Sequence, residues 1–242
     1  MLPRSRVALL LLVAVVTFSS AAFAQTDLPR LGIGAKVSTL GIGIEAATAV
    51  TTRSNLRGSF NFFDYNRNFR DDGIHYDGQL NLRSVQVTYD QYVAGGFHVS
   101  PGLLIHNGNR GAATATAPAG QTFSLGGFTY FSNATNPVAG EATVDFRNVA
   151  PLVLVGFGNV LPRNDRRFGV NFDAGVAFQG SPNLKLDLRG TACATSPTTN
   201  CVNAATDPIV QGQTRSQESK MNGDAKAFKY YPIVSLGVSW KF

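Results

Sequence analysis

The feature that most constrains the fold is a strict alternation of apolar and polar residues in the segment KYYPIVSLGVSWKF, residues 229–242. The apolar phase consists of Phe228, Tyr230, Pro232, Val234, Leu236, Val238, Trp240 and Phe242. The other phase is polar or small, with one exception at Ile233. Because successive side chains of a β-strand point to opposite faces, the pattern predicts a strand with one apolar and one polar face. Soluble proteins usually protect an exposed strand edge of this kind against aggregation, and this strand keeps its full apolar face.

Seven further segments alternate in the same way, and with the last one they predict eight strands. The seven segments are residues 31–37, 41–50, 56–62, 76–92, 97–106, 141–160 and 168–178. Within residues 76–92 the apolar phase changes from even to odd positions near Arg83 and Ser84, which we interpret as a β-bulge in this strand. Short connections alternate with longer ones, of which residues 108–140 and 190–225 are the longest. An up-and-down barrel would place the short turns at one end and these long loops at the other.

The direction in which the apolar face points separates two kinds of eight-stranded barrel. A secreted lipocalin-like carrier turns this face inward, whereas a membrane barrel turns it toward lipid. Aromatic residues populate the apolar phase at Phe60, Phe62, Phe168, Phe178, Trp240 and Phe242. Charges of both signs populate the polar phase at Lys36, Glu45, Arg57, Arg83, Asp173, Lys229 and Lys241. Both features favour a lipid-facing outer surface and a polar lumen.

The lumen of an eight-stranded barrel is just wide enough to be filled by side chains. We therefore predict that Lys36, Glu45, Arg57, Arg83, Asp173 and Lys229 form a charge network across it. The main interpretation of this network is structural. The second interpretation is a narrow path for a small polar molecule, because small residues on the inward phase leave space in the lumen.

The beginning of the chain has the pattern of a secretory signal peptide. Two arginines precede an apolar run at residues 7–18, and an Ala-x-Ala cleavage site ends at Ala24. The predicted domains are therefore a cleaved signal peptide, residues 1–24, and a single barrel domain, residues 25–242. Cleavage would leave 19 basic and 15 acidic residues, a mild excess that does not predict nucleic-acid binding.

Cofactor and metal motifs are missing from the sequence. No complete dinucleotide fingerprint is present, and the two cysteines have no other metal-ligand residues beside them. In an exported protein Cys193 and Cys201 are instead expected to form a local disulfide within the second long loop.

The last strand also resembles the assembly signal of bacterial outer-membrane proteins. The residues that match it are Tyr230, Val234, Leu236, Val238, Trp240 and Phe242. The segments YDGQLNLRSVQVTYDQYV and GGFHVSPGLLIHNGN are similar to those of small eight-stranded outer-membrane barrels of the OmpA transmembrane-domain and OmpW class. This resemblance implies a transmembrane barrel in a Gram-negative-type outer membrane, with both termini in the periplasm. It also implies contacts with the barrel-assembly machinery, outer-membrane lipids and lipopolysaccharide, but no particular activity.

Three functions remain open from the sequence. The first is a structural or narrow, porin-like transport role, and the second is recognition of an extracellular ligand or surface partner through the long loops. The third is an enzyme that modifies acyl groups of lipid A or phospholipid, for which His75, His98, His106 and Ser100 are the candidate residues. Ser100 and His98 are two positions apart, about 7 Å along a strand, which is too far for a nucleophile and its base. We therefore predict a protein that is not an enzyme.

Overall fold

The computed structural model describes residues 30–71, 73–163 and 165–242. The predicted signal peptide lies outside the described residues and stays a prediction. The described residues form fifteen strands and one α-helix. In chain order the strands are β1 (Leu31–Ser38), β2 (Gly41–Thr51), β3 (Ser54–Asp71), β4 (Ile74–Ala94), β5 (Phe97–Asn107), β6 (Arg110–Thr116), β7 (Thr122–Leu125), β8 (Phe128–Ser132), β9 (Ala139–Asp145), β10 (Ala150–Gly158), β11 (Phe168–Phe178), β12 (Asn183–Arg189), β13 (Thr191–Ser196), β14 (Thr199–Asn203) and β15 (Tyr230–Lys241). The helix α1 (Pro208–Asp224) and a 3-10 turn (Ala225–Lys229) lie between β14 and β15.

Eight of these strands close into a ring in the order β1, β2, β3, β4, β5, β10, β11 and β15. Every neighbouring pair is antiparallel, and β15 returns to β1 with Ile33 opposite Trp240. The predicted all-β, eight-stranded, up-and-down barrel is confirmed, and each predicted segment contributes one strand of the ring. We call the end where β1 begins and β15 finishes the terminal end, and the opposite end the loop end.

The two faces of the barrel wall differ sharply in polarity. Ile44 and Leu236 point outward and are 61% and 52% exposed, whereas their neighbours Glu45 and Ser235 are 2% and 3% exposed. The same contrast continues along the other ring strands, with valine, isoleucine, leucine and aromatic side chains outside. This is the reverse of a soluble barrel, in which the apolar residues fill the interior.

The strands β3 and β4 continue well past the loop end of the barrel as a long hairpin. There β4 pairs with β6, β6 with β9, and β9 with β12. We call this five-stranded sheet the extension; it comprises residues 63–71, 74–83, 110–116, 139–145 and 183–189. The predicted long loops therefore contain regular strands. The single strand predicted at residues 141–160 is wrong, because β9 belongs to the extension and β10 to the barrel.

A second, four-stranded sheet is formed by β7, β8, β13 and β14. Cys193 and Cys201 face each other across β13 and β14 and are disulfide-bonded. Leu125, Val138 and Val210 belong to the small apolar core beside this sheet.

The helix α1 was not predicted from the sequence. Its N-cap is Asp207, whose carboxylate accepts hydrogen bonds from the backbone of Ile209 and Val210, each at 3.0 Å. On the other side, Glu218 and Asn222 accept hydrogen bonds from the free edge of β12, at 2.7 and 2.9 Å. The helix thus covers an edge strand that would otherwise be open for pairing. No helix of the described residues combines the length and apolarity needed to cross a membrane.

Candidate functional site

Arg57 is the centre of a buried ion cluster inside the barrel. Its Nη1 and Nη2 atoms donate to the two carboxylate oxygens of Asp173, at 2.7 and 3.0 Å. Its Nη2 and Nε atoms lie 3.1 and 3.0 Å from the two oxygens of Asp90. All three side chains are at most 4% exposed. The guanidinium therefore holds together carboxylates from β4 and β11, which are on different sides of the barrel.

Three more ionisable groups adjoin this centre. The carboxylate of Glu45 lies 3.7 Å from Arg57, and Nζ of Lys36 donates to the hydroxyl of Ser59 at 2.9 Å. Nε2 of His98 lies 2.8 Å from Asp173. The cluster thus takes its side chains from six of the eight ring strands, which ties the barrel wall together across its interior.

A glycine on β10 makes space for the cluster. A Cβ atom at Gly156 would lie 2.6 Å from both Nε2 of His98 and Oδ1 of Asp173. It would also lie 2.5 Å from a backbone oxygen of the neighbouring strand, at Phe172. The histidine and the carboxylate can therefore meet only because this position has no side chain.

Apolar side chains close the lumen on both sides of the ion cluster. Toward the loop end, a buried layer consists of Leu40, Leu104, Ala150, Leu152, Leu154, Ala177 and Ile233. Toward the terminal end, Val160 and Leu161 of the β10–β11 turn pack against Ala47. In the same turn, the guanidinium of Arg163 lies over the ring of Tyr92, 4.8 Å from its centre. The lumen is therefore filled by three successive layers of side chains, which are apolar, charged and apolar.

The structure brings four of the six predicted charge-network residues together: Lys36, Glu45, Arg57 and Asp173. The other two predictions are wrong. Arg83 is on the outer face and pairs with Asp64 at 3.6 Å, with both side chains at least half exposed. Lys229 is exposed in the 3-10 turn, where its ammonium lies 4.9 Å from the ring centre of Tyr230.

The misplacement of Arg83 has a clear physical origin. The change of apolar phase predicted a bulge in β4 near residue 83, but the β3–β4 register runs without a break from one end to the other. The irregularity closest to this position lies in β5, where Ile105 is the extra residue opposite Val85 and Gln86. With no bulge near residue 83, β4 keeps its even residues inward there, so Leu82 faces the interior and Arg83 does not.

The same alternation would have found a residue that the sequence analysis missed. Val85, Val87 and Tyr89 set the outer phase of β4, so Asp90 falls on the inner phase with Ser84, Gln86 and Thr88. Alternation also places His98 on the inner phase of β5, but its contact with Asp173 arises only because β10 lies between β5 and β11.

The residues of the proposed assembly signal all lie on the outer face near the seam between β15 and β1. They are 44–73% exposed: Tyr230, Val234, Leu236, Val238, Trp240 and Phe242. The backbone N–H of Phe242 donates to the carbonyl of Leu31 at 2.9 Å, so the pairing of the last strand extends to this residue.

The geometry does not assemble the acyl-transfer site considered above. Both ring nitrogens of His98 are occupied, by Asp173 and by the carbonyl of Gly96 at 3.2 Å. The hydroxyl of Ser100 has no hydrogen-bond partner, so it is not bonded to a base. His75 is exposed and contacts Arg70 in the extension. The described residues also contain no cluster of three or more His, Cys, Asp or Glu suited to a metal ion.

Cavities lie outside the barrel, along the face of the extension that continues the lumen-facing side of β3 and β4. One, of about 680 Å³, lies between the extension, β7 and α1. A second, of about 410 Å³, adjoins it and shares Ala113, Ala142 and Met221 with it. A third, of about 370 Å³, lies at the loop end of the barrel and shares Leu80 with the second.

Comparison with known proteins supports the fold. No protein-family model and no curated protein sequence matches the chain. Among solved structures, it is similar to CarO of Acinetobacter baumannii, with 19% identity over 90% of this chain and all of that one, and a TM-score of 0.54. It is also similar to CarO2 of Acinetobacter baumannii, with 18% identity over the same shares and a TM-score of 0.57. The chain therefore has the β-barrel fold of these structures.

Proposed function

We propose that the protein is an integral β-barrel of a Gram-negative-type outer membrane, with a sealed lumen and a structural role. The barrel anchors the extension and the second sheet outside the cell, while both termini lie in the periplasm. The single observation that carries this proposal is the polarity of the wall, which is apolar outside and charged inside.

The outer surface fits a lipid environment. Side chains such as Ile44, Phe172 and Leu236 are 46–61% exposed and form part of a surface that is apolar on every ring strand. In water an apolar surface of this extent would cause aggregation, whereas lipid covers it at no cost. Closure of β15 on β1 also leaves the ring without an open strand edge, which a bilayer requires.

The filled lumen supports a structural role over an open pore. An ion or solute would have to displace the apolar layer toward the loop end and then the buried ion cluster. The ion cluster links opposite strands, so we expect it to stabilise the barrel against deformation.

The proposed partners follow from the same location. Lipids and lipopolysaccharide would contact the outer face and the rim, and the barrel-assembly machinery would recognise the alternating residues of β15 that end at Phe242.

Membrane fractionation and heat-dependent gel mobility test the location. We expect the protein in the outer-membrane fraction, as a folded band whose mobility shifts on boiling. Deletion of Phe242 should diminish that band, whereas replacement of the exposed Lys229 by Gln should not. A periplasmic protein that is indifferent to the loss of Phe242 would contradict the proposal.

Conductance in planar bilayers tests the sealed lumen. The wild-type barrel should show no steady single-channel current, because two apolar layers and the ion cluster between them block the lumen. A wild-type current would instead favour a transport protein.

A narrow polar path is the second candidate function, and one observation favours it. Oδ1 of Asn61, Oε1 of Gln86 and Oγ of Ser100 are buried in the lumen without a hydrogen-bond partner among the described residues. Polar atoms of this kind commonly bind water or a polar solute. Uptake of small polar solutes into vesicles by the wild-type protein, without ionic current, would support this candidate.

A further inference from the structure

The inner face of the extension is an apolar groove with a floor of small residues. Its centre contains Gly78, Gly111, Ala113, Ala115, Gly140 and Ala142, which lie side by side in the registers of β4, β6 and β9. Larger side chains surround this floor: Tyr65, Phe69, Tyr76, Leu184, Leu186 and Leu188. Because strand residues two apart share a face, a run of glycine and alanine on three adjacent strands produces a depression.

The space above this floor is too large to be a packing defect. Protein interiors contain few voids larger than a water molecule, and ligand pockets have volumes of roughly 300–1,000 Å³. The larger cavity, of about 680 Å³, falls within that range. It is several times larger than an engineered apolar cavity of roughly 150 Å³ in another protein, which stays dry and binds benzene.

The lining of the larger cavity selects an uncharged, apolar occupant. Aliphatic and aromatic side chains of β4, β6, β7, β9, β12 and α1 surround it, together with a few hydroxyls and the amides of Gln121 and Gln217. Among the described residues, no charged residue lines it. The lining therefore suits the uncharged, mainly apolar part of a ligand.

The adjoining cavity adds a single cation. Arg67 lines it beside Tyr65 and Phe69, and Gly78 opposes Arg67 in the strand pair. Within the described residues Arg67 has no ion-pair or hydrogen-bond partner, and no acidic residue lines this cavity. A guanidinium so placed suits a carboxylate, to which it can donate two parallel hydrogen bonds.

We propose that the groove binds a long-chain fatty acid, with its hydrocarbon chain on the glycine–alanine floor and its carboxylate at Arg67. The two cavities share Ala113, Ala142 and Met221 and therefore adjoin, and an extended chain would lie across both. The proposal deepens the proposed function, because it assigns a ligand to the part of the protein that the barrel would display outside the membrane.

The test uses the full-length protein in phospholipid vesicles and a diazirine-bearing palmitic acid as the probe. After irradiation, the labelled peptides are identified by mass spectrometry. We expect adducts in β6 and β12, which lie in the extension, and competition by unlabelled palmitate.

Matched variants separate groove binding from adsorption to lipid-facing residues. Ala113→Leu fills the shared floor and should reduce adducts in the extension roughly tenfold, whereas Thr114→Leu, on the opposite face of β6, should leave them unchanged. Arg67→Gln should weaken competition by palmitate roughly tenfold and leave competition by its methyl ester unchanged, because only the acid uses the guanidinium. Arg70→Gln, on the other face of β3, is the charge control.

Adducts confined to the barrel wall, or equal labelling of the Ala113 and Thr114 variants, would overturn the proposal. Equal competition by palmitate and its methyl ester in the wild-type protein would mean that Arg67 does not bind the carboxylate, and this result would also overturn the proposal. The proposed membrane location fails separately, in the fractionation experiment, so the two failures are distinguishable.

Discussion

Replacing Arg57 by methionine tests whether the ion cluster holds the barrel together. Methionine keeps most of the side-chain length and removes the charge and all donors. The change breaks the two contacts with Asp173, at 2.7 and 3.0 Å, and the two with Asp90, at 3.1 and 3.0 Å. Both carboxylates are about 1% exposed, so water cannot replace the guanidinium without a rearrangement of the lumen.

The size of the effect follows from these contacts. A hydrogen bond to a charged group contributes about 1.5–3 kcal/mol, but the three such bonds and the Nε–Asp90 contact made by one guanidinium are not additive. After the change Asp173 keeps its contact with His98, and Asp90 keeps the hydroxyl of Thr88 at 3.0 Å. Removal of one partner from a buried ion pair costs about 3–5 kcal/mol. We therefore expect the free energy of unfolding to fall by about 3–5 kcal/mol.

Urea unfolding in phospholipid vesicles measures this difference. Trp240 is the single tryptophan, and it lies 48% exposed on the outer face, so its fluorescence reports insertion of the barrel without a label. Arg83→Met is the matched control, because the same replacement breaks only an exposed pair and should cost less than about 1 kcal/mol.

Equal destabilisation by the Arg57 and Arg83 replacements would refute the reasoning, since it would mean that the lumen solvates its carboxylates. A further variant checks the mechanism: Arg57→Met with Asp90→Asn and Asp173→Asn should recover most of the lost stability. Replacement of a buried ion triad by uncharged residues of similar volume is often close to neutral, whereas removal of one partner is not.

Three more outcomes are expected from the structure. Gly156→Ala should destabilise the barrel by about 1–3 kcal/mol through overpacking, whereas Gly58→Ala, whose Cβ would meet nothing within 4 Å, should leave the urea midpoint nearly unchanged. Leu236→Arg should destabilise the barrel by about 2–4 kcal/mol if this outward position faces the bilayer midplane, and a variant as stable as wild type would contradict a lipid-facing wall. Cys193→Ser removes a disulfide between residues 8 apart, worth about 2.5 kcal/mol on the chain-entropy model. Limited proteolysis should then cleave the second sheet sooner, while Trp240 fluorescence shows an intact barrel.

Much of the barrel was predictable from the sequence because alternation is a local property. The neighbours of Leu236 assign it to the outer face and Ser235 to the inner face without any knowledge of the partner strands. The number of ring strands and the sidedness of the turns follow from the same pattern. Four members of the charge network were found in this way, since inward phase alone selects Lys36, Glu45, Arg57 and Asp173.

The errors occurred where a second strand decides the outcome. Arg83 was misassigned because a change of apolar phase in β4 has two explanations, a bulge in β4 or an apolar interior above the ion cluster. Only the register with β3 distinguishes them. The helix α1 was missed because it is polar on most of its surface and packs through few residues, although Asp207 followed by Pro208 is a recognisable N-terminal signal.

The sequence by itself determined that this chain forms alternating strands with one apolar and one polar face, because each residue's side depends only on its position along the strand. The tertiary structure decided which charges meet in the lumen, since Asp90 and Asp173 contact Arg57 from different strands, and His98 meets Asp173 over Gly156 of the strand between them. It also decided that the long connections form an extension with a glycine–alanine floor. That floor exists only when β4, β6 and β9 lie side by side, and no local pattern specifies such a long-range pairing.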